Sequence, residues 1–235
     1  MNRDEVMHEL ETLGTAQNVK IYKRHGAGDN LFGVSFANLN KLKKRLRTDH
    51  SLACELWETA NTDAQTLALM IADAEQLSST QAESWLKEIS YPPLADMLAA
   101  VVARSKHADA KQRKWMKAKR ELTRLCGYSV LSHRLRHDAM QVSDEQCLET
   151  LEVVERELAA SPNRARHAMN AAIIGIGVFK PHLAEQAIEA ARRIGPVQVD
   201  HGETSCQTPD AESYIRKALA HQAAKGQKKP RVRRC

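Results

Sequence analysis

Helix-start signals recur along this 235-residue chain at short intervals, while convincing strand signals are almost absent. Thr62-Asp-Ala-Gln65, Thr80-Gln-Ala-Glu83 and Ser143-Asp-Glu-Gln146 have the spacing of capping boxes, in which a hydroxyl and a Glu or Gln serve each other's free amides. Ser161-Pro162 and Thr208-Pro209 pair an N-cap residue with a proline at the first helical position, where its missing N–H costs nothing. Apolar residues follow at helical spacing, as in Leu67, Met70, Ile71 and in Leu94, Leu98, Val101, Val102. These signals predict helices near 3–13, 16–25, 36–47, 50–59, 63–74, 80–89, 92–105, 109–117, 118–136, 144–158, 163–179, 181–193 and 210–223. So many helices with such short connections fold back as antiparallel pairs, and so many pairs favour an α-solenoid over a single bundle. No strict period is visible, which leaves the looser HEAT-like class. Residues 1–223 are expected to form a single domain, and 224–235 a basic tail without an apolar face that stays disordered.

Composition narrows the functional classes. The formal charge is +6, a balance that permits nucleic acid without demanding it. Aromatic residues make up only 4%, which argues against a single-strand binder that stacks bases on aromatic platforms. Five cysteines, at 54, 126, 147, 206 and 235, form no CxxC pair and are odd in number, so neither zinc nor a disulfide framework is indicated. The charged start lacks a secretory h-region, and no apolar run is long enough for a bilayer. A soluble cytoplasmic monomer is expected, with no cofactor and no metal.

Three basic segments stand out. A glycine-rich turn at 26–33 leads into a helix that sets Leu39, Leu42 and Leu46 on one face and Lys41, Lys43, Lys44, Arg45 and Arg47 around the other. Ser35 is placed as its N-cap. The run 111–124 carries Arg113, Lys114, Lys117, Arg120 and Arg124. Arg164, Arg166 and His167 sit at the start of an Ala/Ile-rich helix, where the partial positive charge of the N-terminus would add to a phosphate site. Each segment reads either as a solvated face or as a surface for phosphates, which Lys and Arg bind without reading sequence.

Asp96 lies early in the otherwise apolar helix that begins at Pro92. It is either paired with a base, held for chemistry, or an ordinary first-turn aspartate favoured by the helix dipole. Asp200, His201, Glu203 and Cys206 share one short loop and have no zinc-site spacing; a structural loop pinned by His201 and Thr208 is the expectation there. Gly26-x-Gly28 and Gly175-x-Gly177 are too short for a nucleotide fingerprint.

The order of elements resembles the DNA alkylation repair family, the AlkD-like glycosylases built from HEAT-like repeats. The resemblance runs through Phe32-Gly-Val34 and its Leu/Lys helix, the Asp96 helix, the Trp115 helix, Met169-Asn-Ala-Ala-Ile-Ile-Gly-Ile-Gly177 and the closing Val199-Asp-His-Gly202 segment. It implies a right-handed, C-shaped all-α solenoid whose concave basic face grips duplex or branched DNA. It further implies hydrolysis of N3- and N7-alkylpurine glycosidic bonds, with Asp96 in the place of the catalytic aspartate, stabilising the developing sugar cation. The rest of the family's catalytic set is missing: its first tryptophan falls on Pro92, its arginine on Ala118, and its second tryptophan on Ile176. The expectation is therefore a DNA-binding member with weak or absent base excision. A working glycosylase built around Asp96 and a protein-binding scaffold are the alternatives.

Overall fold

A computed structural model describes residues 1–226. Thirteen α-helices fill the described chain. The first seven are α1 (Arg3–Leu13), α2 (Ala16–Arg24), α3 (Phe36–Leu46), α4 (His50–Trp57), α5 (Thr62–Ile71), α6 (Ser79–Glu88) and α7 (Pro92–Val102). The remainder are α8 (Ala108–Met116), α9 (Glu121–Asp138), α10 (Asp144–Glu157), α11 (Asn163–Phe179), α12 (Ala184–Ile194) and α13 (Ala211–Gly226). No strand forms among the described residues, and one isolated bridge joins Gly14 to Val34. The fold is the expected all-α solenoid of HEAT-like helix pairs. None of these helices is long and apolar enough to cross a membrane.

Helices α5, α7, α9, α11 and α13 stack in succession as one layer, and α4, α6, α8, α10 and α12 pair with them as the other. One apolar core runs between the layers from Val6 to Ile215. Close approach of α9 to α8 depends on Gly127, where a β-carbon would lie 2.4 Å from the Met116 backbone nitrogen.

The helix starts differ from the sequence reading in detail. Ser35 and Ser143 cap α3 and α10 as expected, the latter as a complete capping box. Asn61, not Thr62, caps α5, because its side-chain oxygen reaches the amides of both Asp63 and Ala64. Ser78, not Thr80, caps α6, which frees Glu83 for other partners. Ser161 turns back to the Glu157 carbonyl instead of capping α11, and Asp210 accepts from the Ser213 amide at the start of α13. Helix α13 continues to Gly226, three residues into the expected tail; the rest of that tail lies outside the described residues.

The glycine turn before α3 is held from within. The buried Asp63 carboxylate accepts hydrogen bonds from the amides of Phe32, Gly33 and Val34 at 2.7–2.9 Å. Gly33 has φ +81°, and a β-carbon there would fall 2.5 Å from the Thr15 carbonyl oxygen. The Phe-Gly-Val signature therefore docks α3 onto α2 and α5, and its amides are not free for a phosphate.

Candidate nucleic-acid interface

Helix α7 begins with Pro92-Pro93, which bring preset φ to its first turn. Asp96 follows one turn later, at the edge of the face buried through Ala95, Leu98 and Ala99, and its side chain is 56% exposed. Across from it, α9 presents Ser129, His133 and Arg136 at i, i+4 and i+7, a polar stripe on a helix otherwise buried through Leu125, Val130, Leu131 and Leu135. The first turns of α11 add Arg164 and His167. Together these residues line a cleft of about 370 Å³ with Asp96 on one wall.

The His133 Nε2 lies 3.3 Å from the Asp96 Oδ1. Since an ionised carboxylate can only accept, that ring nitrogen is the donor. Burial against the cleft wall works to raise the Asp96 pKa. The His133 hydrogen bond and charge, with Ser129 and Arg136, outweigh it and hold the carboxyl below its ordinary value. Asp96 is thus an anion near neutral pH, suited to stabilising positive charge and a poor proton donor. His167 is shifted down by burial and by His201 and Arg164, so it favours the neutral ring. Its ring meets that of His201 edge-on at 5.4 Å. As expected, His201 is pinned to Thr208, at 2.9 Å. The same loop is tied to the start of α11 by two hydrogen bonds between Asn163 and Asp200.

A shallower groove of about 270 Å³ continues from His133 and Arg136 to Arg104 and His137. Arg104, Arg136 and Arg164 with these histidines make a cationic strip around one carboxylate. Of the basic residues named from sequence, Arg164 and His167 line the Asp96 cleft. Lys41, Lys43 and Lys44 are exposed on α3, with Lys41 near Asn38 at 3.4 Å. Arg166 sits beside Asn163, with its Nε buried and without a hydrogen-bond partner.

The 111–124 run is mostly committed to packing. Lys111, Lys114 and Trp115 all donate to Glu83. Arg120 caps the C-terminus of α6 with hydrogen bonds of 2.6 Å to the carbonyls of Leu86 and Ile89. Arg124 binds the Met116 carbonyl, Ser161 and Glu157. Arg113 pairs with Asp109 one turn away. Lys117 is exposed and makes no ion pair among the described residues.

The positions assigned to the family's missing residues also separate. Pro92 does line the cleft one turn before Asp96. Ile176 is fully buried in the core, and Ala118 lies in the turn between α8 and α9. The three tryptophans are all interior: Trp57 stacks on Trp85 with ring centroids 4.5 Å apart, and Trp115 is 1% exposed. Sequence reasoning missed Arg104, Ser129, His133 and Arg136. The polar i, i+4, i+7 stripe of α9 was the signal available for the last three.

Comparison with known proteins settles the family. A family model described as DNA alkylation repair enzyme matches residues 6–219. The chain belongs to that family. Uncharacterized proteins of Listeria innocua and Listeria monocytogenes are 33% and 31% identical to this DNA alkylation repair family member over 222 residues, 92% of this chain and 96% of each relative. A solved structure of "a new family of proteins related to the HEAT-like repeat DNA glycosylases with affinity for branched DNA structures" matches with a TM-score of 0.87 and 29% identity. That match covers 94% of this chain and 95% of the other.

Proposed function

We propose that this protein binds duplex DNA, with branched DNA as the preferred form, and that base excision is weak or absent. The cationic strip of Arg104, Arg136, His137 and Arg164 contacts the phosphate backbone. The observation that carries the reading is the composition of the Asp96 cleft: a carboxylate without a tryptophan, tyrosine or phenylalanine on its lining, while all three tryptophans are spent in the core. Backbone grip survives that loss, because it needs only free cations. Holding a lesion against the carboxylate does not. The affinity of the related solved structure for branched DNA supports the choice of partner. One chain supplies the whole strip, which fits action as a monomer.

A second reading, slow hydrolysis of alkylpurine glycosidic bonds, is favoured by Asp96 itself, which is open to solvent and ionised. Incubating methylated duplex with wild type and Asp96→Asn decides between them. Little or no 7-methylguanine or 3-methyladenine is expected from either protein. Release by wild type that Asp96→Asn abolishes would establish the second reading. Titration of a four-way junction against linear duplex tests the first, with tighter binding to the junction expected. Equal or absent binding at low salt defeats it.

A further inference from the structure

A second concavity, of about 360 Å³, lies between α8, α9 and α10 and shares no residue with the Asp96 cleft. Its volume falls within the range of small-molecule sites, roughly 300–1,000 Å³. Gln112, Tyr128 and Thr150 form its floor, and all three are almost fully buried. The Tyr128 hydroxyl has no hydrogen-bond partner. Burial pushes its pKa up to about 12, despite the opposing charge of Arg124, so it remains a neutral donor. Gln112 beside it gives its carbonyl oxygen to Arg134. Buried donors are nearly always satisfied in folded proteins, so an orphan at the floor of a concavity points to something that fills it.

The rim supplies the complementary charge. Arg113, Lys117 and Arg156 are exposed there, and the lining as a whole sets four cations against two carboxylates. One of those carboxylates, Glu157, is already engaged by Arg124 and Arg156. At the surface Arg113 faces Asp109 and Arg156 faces Glu157, whereas Lys117 makes no ion pair among the described residues, so the groove keeps a net positive charge. A phosphate monoester carries close to two charges and three acceptor oxygens, enough for three cations at once.

We propose that this groove is a binding site for a small organic phosphate of nucleotide size. The phosphate sits among Arg113, Lys117 and Arg156, and the polar body of the ligand meets Gln112, Tyr128 and Thr150. This inference does not depend on how the Asp96 cleft binds DNA.

The test is calorimetric titration of the full chain with the four deoxynucleoside monophosphates, with the matching nucleosides and inorganic phosphate as partial ligands. Saturable binding of at least one nucleotide is expected, tighter than either of its parts. Lys117→Ala/Arg156→Ala should weaken it about tenfold or more. Tyr128→Phe should weaken it a few-fold without lowering the melting temperature, and Asp96→Asn should leave it unchanged. Displacement of the nucleotide by a phosphorylated oligonucleotide, but not by its unphosphorylated twin, would identify a strand end as the source. Failure of both to displace it would identify the free nucleotide; either result upholds the site. No saturable binding at millimolar nucleotide overturns the proposal. So does binding that the double variant leaves intact, or that Asp96→Asn abolishes.

Discussion

Two cationic regions of this molecule look alike in sequence and differ in what their charges are doing. On α8 and the start of α9, Lys111, Arg120 and Arg124 are tied to Glu83, to the terminal carbonyls of α6, and to Met116, Ser161 and Glu157. In the cleft of α7, α9 and α11, the guanidinium groups of Arg136 and Arg164 make no ion pair among the described residues and line open space. The difference is set by the neighbours. A helix C-terminus leaves carbonyls unpaired, and an arginine packed against one satisfies them. Helices α6 and α8 both end beside α9, so the arginines at its start become part of the scaffold. Local density of Lys and Arg therefore predicts basic surface poorly unless the fate of adjacent helix ends is known.

The largest expected effect breaks the committed side of that comparison. Arg124 is 15% exposed and holds three partners. Its replacement by alanine leaves Glu157 and a helix-end carbonyl unpaired, at a cost of about 3 kcal/mol. For a chain of this size the melting temperature should fall by roughly 6–12 °C. DNA affinity per folded molecule should not change. Denaturant titration with parallel binding at a temperature where both proteins are folded measures the two quantities separately.

The reciprocal experiment is on Arg136 and Arg164. Either one changed to alanine should leave stability within about 0.5 kcal/mol of wild type. Each should weaken duplex DNA about tenfold at low salt and reduce the slope of log affinity against log salt by about 1. A stability loss here, or an affinity loss with Arg124→Ala, would erase the distinction between the regions. The α3 lysines come next in size. Lys41, Lys43 and Lys44 are exposed and line neither groove, so their joint replacement should weaken DNA only a few-fold. That loss should fade above about 0.15 M salt, where the Debye length is near 8 Å.

Most of the fold was legible before any coordinates, because helix starts are written locally in Ser, Thr, Asn and Pro. The errors at Thr62, Thr80 and Thr208 were shifts of one or two residues, where a better-placed acceptor, Asn61, Ser78 or Asp210, won. Asp96 was also legible, as a lone charge on an apolar helix. Its partners were not, since His133 lies 37 positions away and meets it only through the stacking of α7 on α9. Asp63 was unreadable for the same reason: its role is defined by amides some 30 positions earlier.

The smallest effect contrasts the carboxylates of the two regions. Glu83 is pushed up by burial, but Lys111, Lys114 and Trp115 more than compensate and hold it at about 2. Asp96 is lowered chiefly by His133 and remains half exposed. Both folded values lie below the unfolded ones, so each group adds stability above its unfolded pKa and loses it as pH falls through the folded pKa. For Asp96 the unfolded reference is 3.8. The stability difference between wild type and Asp96→Asn should be flat from neutral pH to about pH 5, shrink below 3.8 and vanish in stronger acid. Its plateau should stay under about 1 kcal/mol, because a half-exposed pair is screened by solvent. Glu83→Gln should show a larger plateau that shrinks as pH falls below 4.5 and is lost as pH passes about 2. An Asp96 plateau as large as that of Glu83 would mean that the cleft carboxylate is itself part of the scaffold. It would then offer no free anion to a sugar cation, and the slow-glycosylase reading would lose the one observation in its favour.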